Sequence, residues 1–194
     1  MQQFISQLIA HFKGRNVKNC ITSCSDSLTL LEDNKAEGKT IFSTITDELY
    51  IKQSCFSIHN PTNKAINLWA IDGCFTGKGK PLSNKYPKKC DAAFGYEGYI
   101  AFIEFKLDAE SSANPKTIET NRTTALQQIG NTLLFLKESL QIEGSYFVIE
   151  GYTIVAFLCT PPDYPKFSAT NTDEAAAFLE KYGVSLFDVN ETAI

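Results

Sequence analysis

The chain has 194 residues, of which 43% are hydrophobic and 12% aromatic, with a formal net charge of −4 at neutral pH. This composition excludes low-complexity disorder, because the apolar residues can bury enough surface to offset the entropy of ordering the chain. The longest apolar runs are far shorter than the roughly 20 residues that a transmembrane helix needs. We therefore expect one globular domain, 1–194, that does not interact with a membrane.

Residues 1–40 are predicted to form an N-terminal addition that consists of a helix and a loop. Apolar residues recur at helical spacing near the start, at Phe4, Ile5, Leu8, Ile9 and Phe12. This pattern describes an amphipathic helix and not a secretory signal, so a cytoplasmic location is the default expectation. The six cysteines are then expected to be reduced thiols. The polar, turn-rich segment 20–40 is predicted to be a surface loop.

Residues 41–160 are predicted to form the core. The spacing of apolar residues favours a helix over 41–56, and the β-prone run that follows favours a strand over 66–75. Two more strand-like runs, 89–96 and 99–107, flank Glu97 and Gly98 and form the clearest hairpin in the chain.

The hairpin is followed by a long helical pattern over 117–140 and by strand-like runs over 146–149 and 153–159. The C-terminal addition, 161–194, is predicted to carry a short helix over 173–181 and a last strand over 184–189. This order predicts an α/β fold with a mixed β-sheet, in which an antiparallel hairpin is flanked by helices and the long helix is a crossover.

The hairpin brings three charged residues to one face of the predicted sheet. Counting outward from the turn places Asp91 opposite Glu104. Because strand side chains alternate, Lys106 projects from the same face as Glu104, while Phe105 turns the other way. Two close carboxylates repel each other, and the repulsion is removed when they share a proton or bind a divalent cation. Oxygen ligands favour Mg²⁺ or Mn²⁺, and a neighbouring ammonium can orient or deprotonate the attacking water.

A basic segment precedes this constellation. The chain up to Lys137 has 16 basic and 13 acidic residues, whereas the remainder has 2 and 9, so the net charges are +3 and −7. Five lysines fall in a Gly- and Pro-containing loop and are candidate contacts for a nucleic-acid backbone: Lys78, Lys80, Lys85, Lys88 and Lys89. The alternative is a solvated loop that protects the edge of a sheet.

Asp91 with Glu104-Phe105-Lys106 on the facing strand resembles the PD-(D/E)xK nucleases, the restriction-endonuclease-like superfamily. The resemblance implies that Asp91 and Glu104 bind the metal together with the main-chain carbonyl of Phe105, and that Lys106 activates water. It also implies a further carboxylate on a preceding helix, for which Glu48 is the candidate, and it allows a homodimer.

The pattern [DE]xK occurs three times, at Asp33, Glu37 and Glu104, but the first two are predicted to lie in a polar loop without a partner strand. The long helix lacks the QxxxY signature of the exonuclease-like branch, because Thr132 stands where tyrosine would. The alternative interpretation of Glu104 and Lys106 is an ordinary surface ion pair.

Other chemistries fit less well. Gly73 and Gly77 before Lys78 resemble a phosphate-binding P-loop, but the glycines are one residue too close and no Ser or Thr follows the lysine. No nucleotide cofactor is therefore expected. Zinc is disfavoured because no CxxC occurs. Asp72 is interpreted as a turn residue, with an accessory carboxylate as the alternative.

The sequence thus predicts a metal-dependent nuclease that hydrolyses DNA phosphodiester bonds with water activated by Mg²⁺ or Mn²⁺. RNA is the alternative substrate. The alternative function is a catalytically inactive nuclease-like fold that binds a protein or a nucleic acid.

Overall fold

The computed structural model describes residues 17–72, 88–109, 114–165 and 169–194. The expected N-terminal helix lies outside these residues, as do Lys78, Lys80 and Lys85. In chain order the strands are β1 (Ile21–Cys24), β2 (Leu28–Asn34), β3 (Lys39–Phe42), β4 (Cys55–His59), β5 (Ile66–Ala70), β6 (Ala92–Tyr96), β7 (Tyr99–Phe105), β8 (Thr153–Cys159), β9 (Ser185–Phe187) and β10 (Glu191–Ala193). The helices are α1 (Glu48–Ser54), α2 (Pro115–Ser139) and α3 (Ala169–Tyr182), and a 3-10 turn spans Val17–Cys20.

The fold is mixed α/β and contains two mixed sheets. The larger sheet has six strands in the order β1-β5-β6-β7-β8-β9, and the smaller one has four in the order β10-β4-β2-β3. In the larger sheet the neighbours from β1 to β7 are antiparallel, whereas β7, β8 and β9 are parallel to one another. The smaller sheet contains strands from all three predicted segments: β2 from 1–40, β4 from 41–160 and β10 from 161–194.

The predicted hairpin is confirmed in its position and register. Ala92 pairs with Ile103 and Tyr96 with Tyr99 across the turn. Gly98 has φ +64°, a conformation that residues other than glycine rarely adopt. Its carbonyl accepts a hydrogen bond of 2.7 Å from Thr153 N. The turn therefore ties the hairpin to the start of β8.

The predicted crossover helix is confirmed as α2, which connects β7 to the parallel strand β8. It begins after Asn114, whose side chain accepts a hydrogen bond of 3.0 Å from Thr117 N and caps the first turn. Ala125, Ile129 and Leu133 recur at helical spacing and are buried. This face packs against the larger sheet.

Two cores lie on opposite faces of the larger sheet, and β7 contributes to both. Ile100 and Phe102 belong to the core beneath α2, whereas Ala101, Ile103 and Phe105 belong to the core between the two sheets. Because side chains alternate along a strand, Glu104 projects toward the α2 side. The packing of β7 in both cores thus determines that the side chain of Glu104 lies on the face of the sheet that α2 covers.

The prediction of a surface loop over 20–40 is wrong, because β1, β2 and the start of β3 lie there. Leu30 and Leu31 are buried, and β2 pairs with both β3 and β4. The helix predicted over 41–56 is also largely wrong. Only Glu48–Ser54 is helical, since β3 extends to Phe42 and β4 begins at Cys55. The secondary structure of these segments is determined by pairing with strands that are distant in the sequence, and local sequence patterns do not reveal such pairing.

Three further expectations need correction. Residues 146–149 form no strand. The strand β5 ends at Ala70, after which Ile71 and Asp72 are helical. Cys20 is disulfide-bonded, so the expectation of reduced thiols is wrong for this residue, whereas Cys24, Cys55, Cys90 and Cys159 are free.

Among the helices of residues 17–72, 88–109, 114–165 and 169–194, none combines the length and the apolar character needed to cross a bilayer.

Candidate active site

The charged constellation predicted from the hairpin lies at one end of the larger sheet. Asp91 immediately precedes β6, Glu104 is the penultimate residue of β7, and Lys106 directly follows that strand. A hydrogen bond of 3.1 Å from Asp91 N to Ile103 O continues the pairing of the two strands beyond Ala92. The two carboxylates therefore stand side by side on the face that α2 covers.

Asp91 is held through its main chain and its side chain. Its carbonyl accepts hydrogen bonds from Ile71 N at 2.9 Å and Asp72 N at 3.1 Å, and its Oδ2 accepts one of 2.6 Å from Phe105 N. Burial raises the pKa of Asp91 to about 7, although the hydrogen bond from Phe105 opposes this shift. Near neutral pH this carboxyl group is therefore poised between its protonated and ionised forms.

Glu104 is completely buried, with 0% of its surface exposed. Burial and the neighbouring charge of Asp91 raise its pKa well above the usual range, while Lys106 opposes the shift. Its Oε1 contacts Lys106 Nζ, but its Oε2 is buried and accepts no hydrogen bond from the residues that the structure describes. A buried carboxylate oxygen without a partner carries a large desolvation cost, which a cation at this point would remove.

Lys106 lies between the carboxylate and the helix. Its Nζ donates to Glu104 Oε1 and, at 3.3 Å, to Gln128 Oε1 of α2. The side chain is 20% exposed. An ammonium has three donors, and one is left for water or a phosphate oxygen.

One face of α2 holds the segment that leads into Asp91. Gln128 Nε2 donates to Lys89 O at 3.2 Å, Asn131 Nδ2 donates to Lys88 O at 3.1 Å, and Cys90 N donates to Thr132 Oγ1 at 2.8 Å. We name these three helix residues the α2 clamp. The sequence analysis predicts no role in the site for Gln128, Asn131 or Thr132. Their spacing on one helix face was the signal that could have identified them.

Two carboxylates that the sequence analysis set aside influence the site. The charges of Asp72 and Asp33 both raise the pKa of Asp91, and that of Asp72 also raises the pKa of Glu104. Asp33 was dismissed because it was predicted to lie in a loop. It belongs instead to β2, where it pairs with Thr40 of β3. The strand pairing of β2, which local sequence did not reveal, brings it within electrostatic range.

The remaining predicted site residues lie elsewhere. Glu48 is exposed in the first turn of α1, a helix that packs on the smaller sheet. Within the described residues, no hydrogen bond or ion pair joins it to Asp91, Glu104 or Lys106. Lys88 is exposed.

Lys89 was predicted to lie in an exposed loop, but it is 7% exposed and its Nζ stands 4.5 Å from the centre of the Phe135 ring. The apolar stem of a lysine packs readily, which explains the burial.

The donor set suits a hard cation bound by few protein ligands. Among the residues that the structure describes, no three or more His, Cys, Asp or Glu side chains are grouped to hold a metal ion. Asp91 and Glu104 supply two carboxylates, and Mg²⁺ is commonly bound through one or two carboxylates together with water and substrate oxygens. The unpartnered Oε2 of Glu104 fits such a ligand.

Comparison with protein-family models, with curated proteins and with solved structures finds no match to this chain.

Proposed function

We propose that this chain is a metal-dependent nuclease of the PD-(D/E)xK type that hydrolyses DNA phosphodiester bonds, with RNA as the alternative substrate. The observation that carries the proposal is the buried Glu104 carboxylate. One of its oxygens has no hydrogen-bond partner in the described part of the chain, while Asp91 stands beside it and Lys106 contacts the other oxygen. Such a group is costly in an apo protein and useful in a metal site.

The order of elements supports the same family. β5, β6 and β7 form an antiparallel run, α2 crosses over, and β8 returns parallel to β7. The resemblance to the PD-(D/E)xK nucleases extends to this order of three strands, a helix and a parallel strand. Asp91 precedes the second strand of that run, and Glu104 ends the third.

The residues can divide the chemistry as follows. Mg²⁺ or Mn²⁺ held by Asp91, Glu104 and the main-chain carbonyl of Phe105 would activate water as a nucleophile and neutralise charge on the phosphate. Lys106 donates to Glu104 and Gln128, and its remaining proton can orient the attacking water or stabilise a phosphoryl oxygen. Water adds to phosphorus, one P–O ester bond breaks, and the departing oxygen takes a proton.

Cleavage of single- and double-stranded DNA and of RNA, with Mg²⁺ or Mn²⁺, tests the proposal. We expect Glu104→Gln to abolish cleavage and Lys106→Ala to reduce it by roughly 10²- to 10⁴-fold, as for loss of a group that assists proton transfer. Glu97→Gln and Lys116→Ala are the matched controls, since both residues are exposed and Glu97 lies at the opposite end of the hairpin.

Equal cleavage by all five proteins would show that the activity does not belong to this site. If none cleaves and no divalent cation raises the melting temperature, the inactive binding fold becomes the better account.

A further inference from the structure

A cavity of about 360 Å³ opens beside the candidate active site, on the opposite face of the larger sheet. Its walls come from the end of β2, from α1 and from the end of β7, and they include Asp33, Tyr50 and Phe105. Phe105 joins the two places, because its side chain lines the cavity while its N–H donates to Asp91 Oδ2 at 2.6 Å. A molecule in this cavity would lie next to whatever is bound at Asp91.

The charged side chains that line the cavity are paired within the described part of the chain, with one exception. Lys35 Nζ forms an ion pair of 3.3 Å with Asp108 Oδ2, and Glu32 accepts hydrogen bonds from Ser43 and Asn34. Asp33 makes no side-chain hydrogen bond or ion pair within the described part of the chain, although it is half-buried and loss of solvation raises its pKa. Its carboxylate is therefore the charged group that is available to a ligand.

The charge of the lining excludes a phosphate as the preferred ligand. Three carboxylates, those of Glu32, Asp33 and Asp108, face one ammonium, that of Lys35, which is itself paired. An anion would be repelled, whereas a neutral group with hydrogen-bond donors would be attracted. The cavity is also lined by aromatic side chains, on which a planar group could stack. Tyr50 is 43% exposed, and Phe105 contributes a second aromatic ring.

We propose that this cavity binds one unpaired base of the strand that is cut, and that Asp33 selects guanine. The Watson–Crick edge of guanine presents two adjacent donors, N1–H and the N2 amino group, which a carboxylate can accept as a pair. Thymine and uracil present a single donor between two carbonyl oxygens, which the carboxylates repel. Because a duplex uses this edge for pairing, the substrate is single-stranded or has an unpaired base beside the cut. This inference rests on the proposed nuclease function.

Binding is measured separately from cleavage, so that each can fail alone. The probes are labelled twelve-nucleotide thymine strands, either uniform or with one central guanine, adenine or cytosine. Fluorescence anisotropy is recorded with Ca²⁺, which takes the same oxygen ligands, and electrophoresis shows whether the strands stay intact. Cleavage of the same strands is then followed with Mg²⁺.

We expect the guanine strand to bind roughly tenfold more tightly than the uniform thymine strand, as is typical of one bidentate contact. Asp33→Asn should reduce this ratio below about threefold, because an amide offers one acceptor in place of two. Asp163→Asn, a substitution of the same kind at an exposed residue, should preserve the ratio. Tyr50→Leu should weaken binding of every strand by removing a stacking surface from an exposed position.

Equal affinity for guanine and thymine, or a preference that Asp33→Asn leaves intact, would overturn the subsite even if every strand is cleaved. Selective binding that depends on Asp33, without cleavage of any strand, would support the subsite and overturn the proposed catalysis. Failure to bind any of these strands would overturn the subsite, and the proposed function would then stand or fall with the cleavage of duplex DNA and RNA.

Discussion

The main-chain N–H of Phe105 donates a hydrogen bond of 2.6 Å to Oδ2 of Asp91. This bond joins the two strands of the hairpin at the point where their charged residues meet. The bond orients the carboxylate of Asp91, and its donor is the backbone of β7. The register of β6 and β7 therefore determines the geometry of the site. The same hydrogen bond favours the ionised form of Asp91, while burial favours the neutral form.

The stability of the metal-free protein should depend on pH through Asp91 and Glu104. Both carboxyl groups have a pKa that is higher in the folded chain than in the unfolded one. Their contribution to stability is therefore complete below their unfolded pKa of roughly 4 and is lost as the pH rises, for Asp91 through about 7. We expect the contribution of these groups to lower the melting temperature between pH 5 and pH 8.

The control for this experiment is Mg²⁺, which binds the ionised carboxylates and should raise the melting temperature more at pH 8 than at pH 5. An increase of the same size at both pH values would contradict the assignment of the cation to these two groups.

Glu104→Gln should stabilise the metal-free protein at pH 8. The substitution keeps the shape of a completely buried side chain and replaces a carboxyl group whose ionised form burial penalises. Thermal unfolding in EDTA should show a higher melting temperature than for wild type, and Mg²⁺ should no longer increase it. Glu97→Gln, at the exposed turn of the same hairpin, should behave as wild type in both respects. A destabilised Glu104→Gln protein would show that the contact with Lys106 outweighs the cost of burying the charge.

Thr132→Val should destabilise the fold by about 1–3 kcal/mol, because it leaves the buried N–H of Cys90 without its acceptor. Urea unfolding followed by circular dichroism measures the change. Thr120→Val is the matched control on the same helix, since Thr120 Oγ1 donates to Lys116 O at 2.8 Å and the residue is exposed. Equal effects of the two substitutions would mean that the contact between Thr132 and Cys90 adds nothing to stability.

Gln128 is expected to act as a positioning residue for Lys106. Gln128→Met keeps the length of the side chain but removes the hydrogen bonds to Lys106 Nζ and Lys89 O. We expect kcat for DNA cleavage to fall roughly 10- to 100-fold with KM nearly unchanged, as is common when the partner of a functional group is lost. Gln127→Met on the exposed side of α2 should leave both constants unchanged. A change confined to KM would instead place Gln128 in substrate binding.

The parts of the fold that could be predicted from the sequence are those with strong local signals. The hairpin has a turn with glycine in the one position that needs positive φ, and its alternating side chains fix which residues share a face. The helix α2 has a long periodic pattern with a cap at Asn114. Together these place Asp91, Glu104 and Lys106 correctly relative to one another.

The smaller sheet could not be predicted, because its strands are short and depend on distant partners. β2 pairs with β4, and β10 pairs with β4 from the other end of the chain. A polar strand end such as Glu32-Asp33-Asn34 has the composition of a loop, so Asp33 and its cavity were missed. Lys89 was misjudged because a lysine gives no local sign that its stem packs on an aromatic ring.

The proposed function depends most directly on a divalent cation that Asp91 and Glu104 share. Crystals of the protein soaked in Mn²⁺ at pH 8 test it directly, because anomalous scattering identifies the ion. The account predicts a peak within about 2–2.5 Å of a carboxylate oxygen from each residue, with the unpartnered Oε2 of Glu104 as a ligand. The peak should vanish in Glu104→Gln and persist in Glu97→Gln. Absence of a peak between Asp91 and Glu104 in well-ordered wild-type crystals would contradict the account.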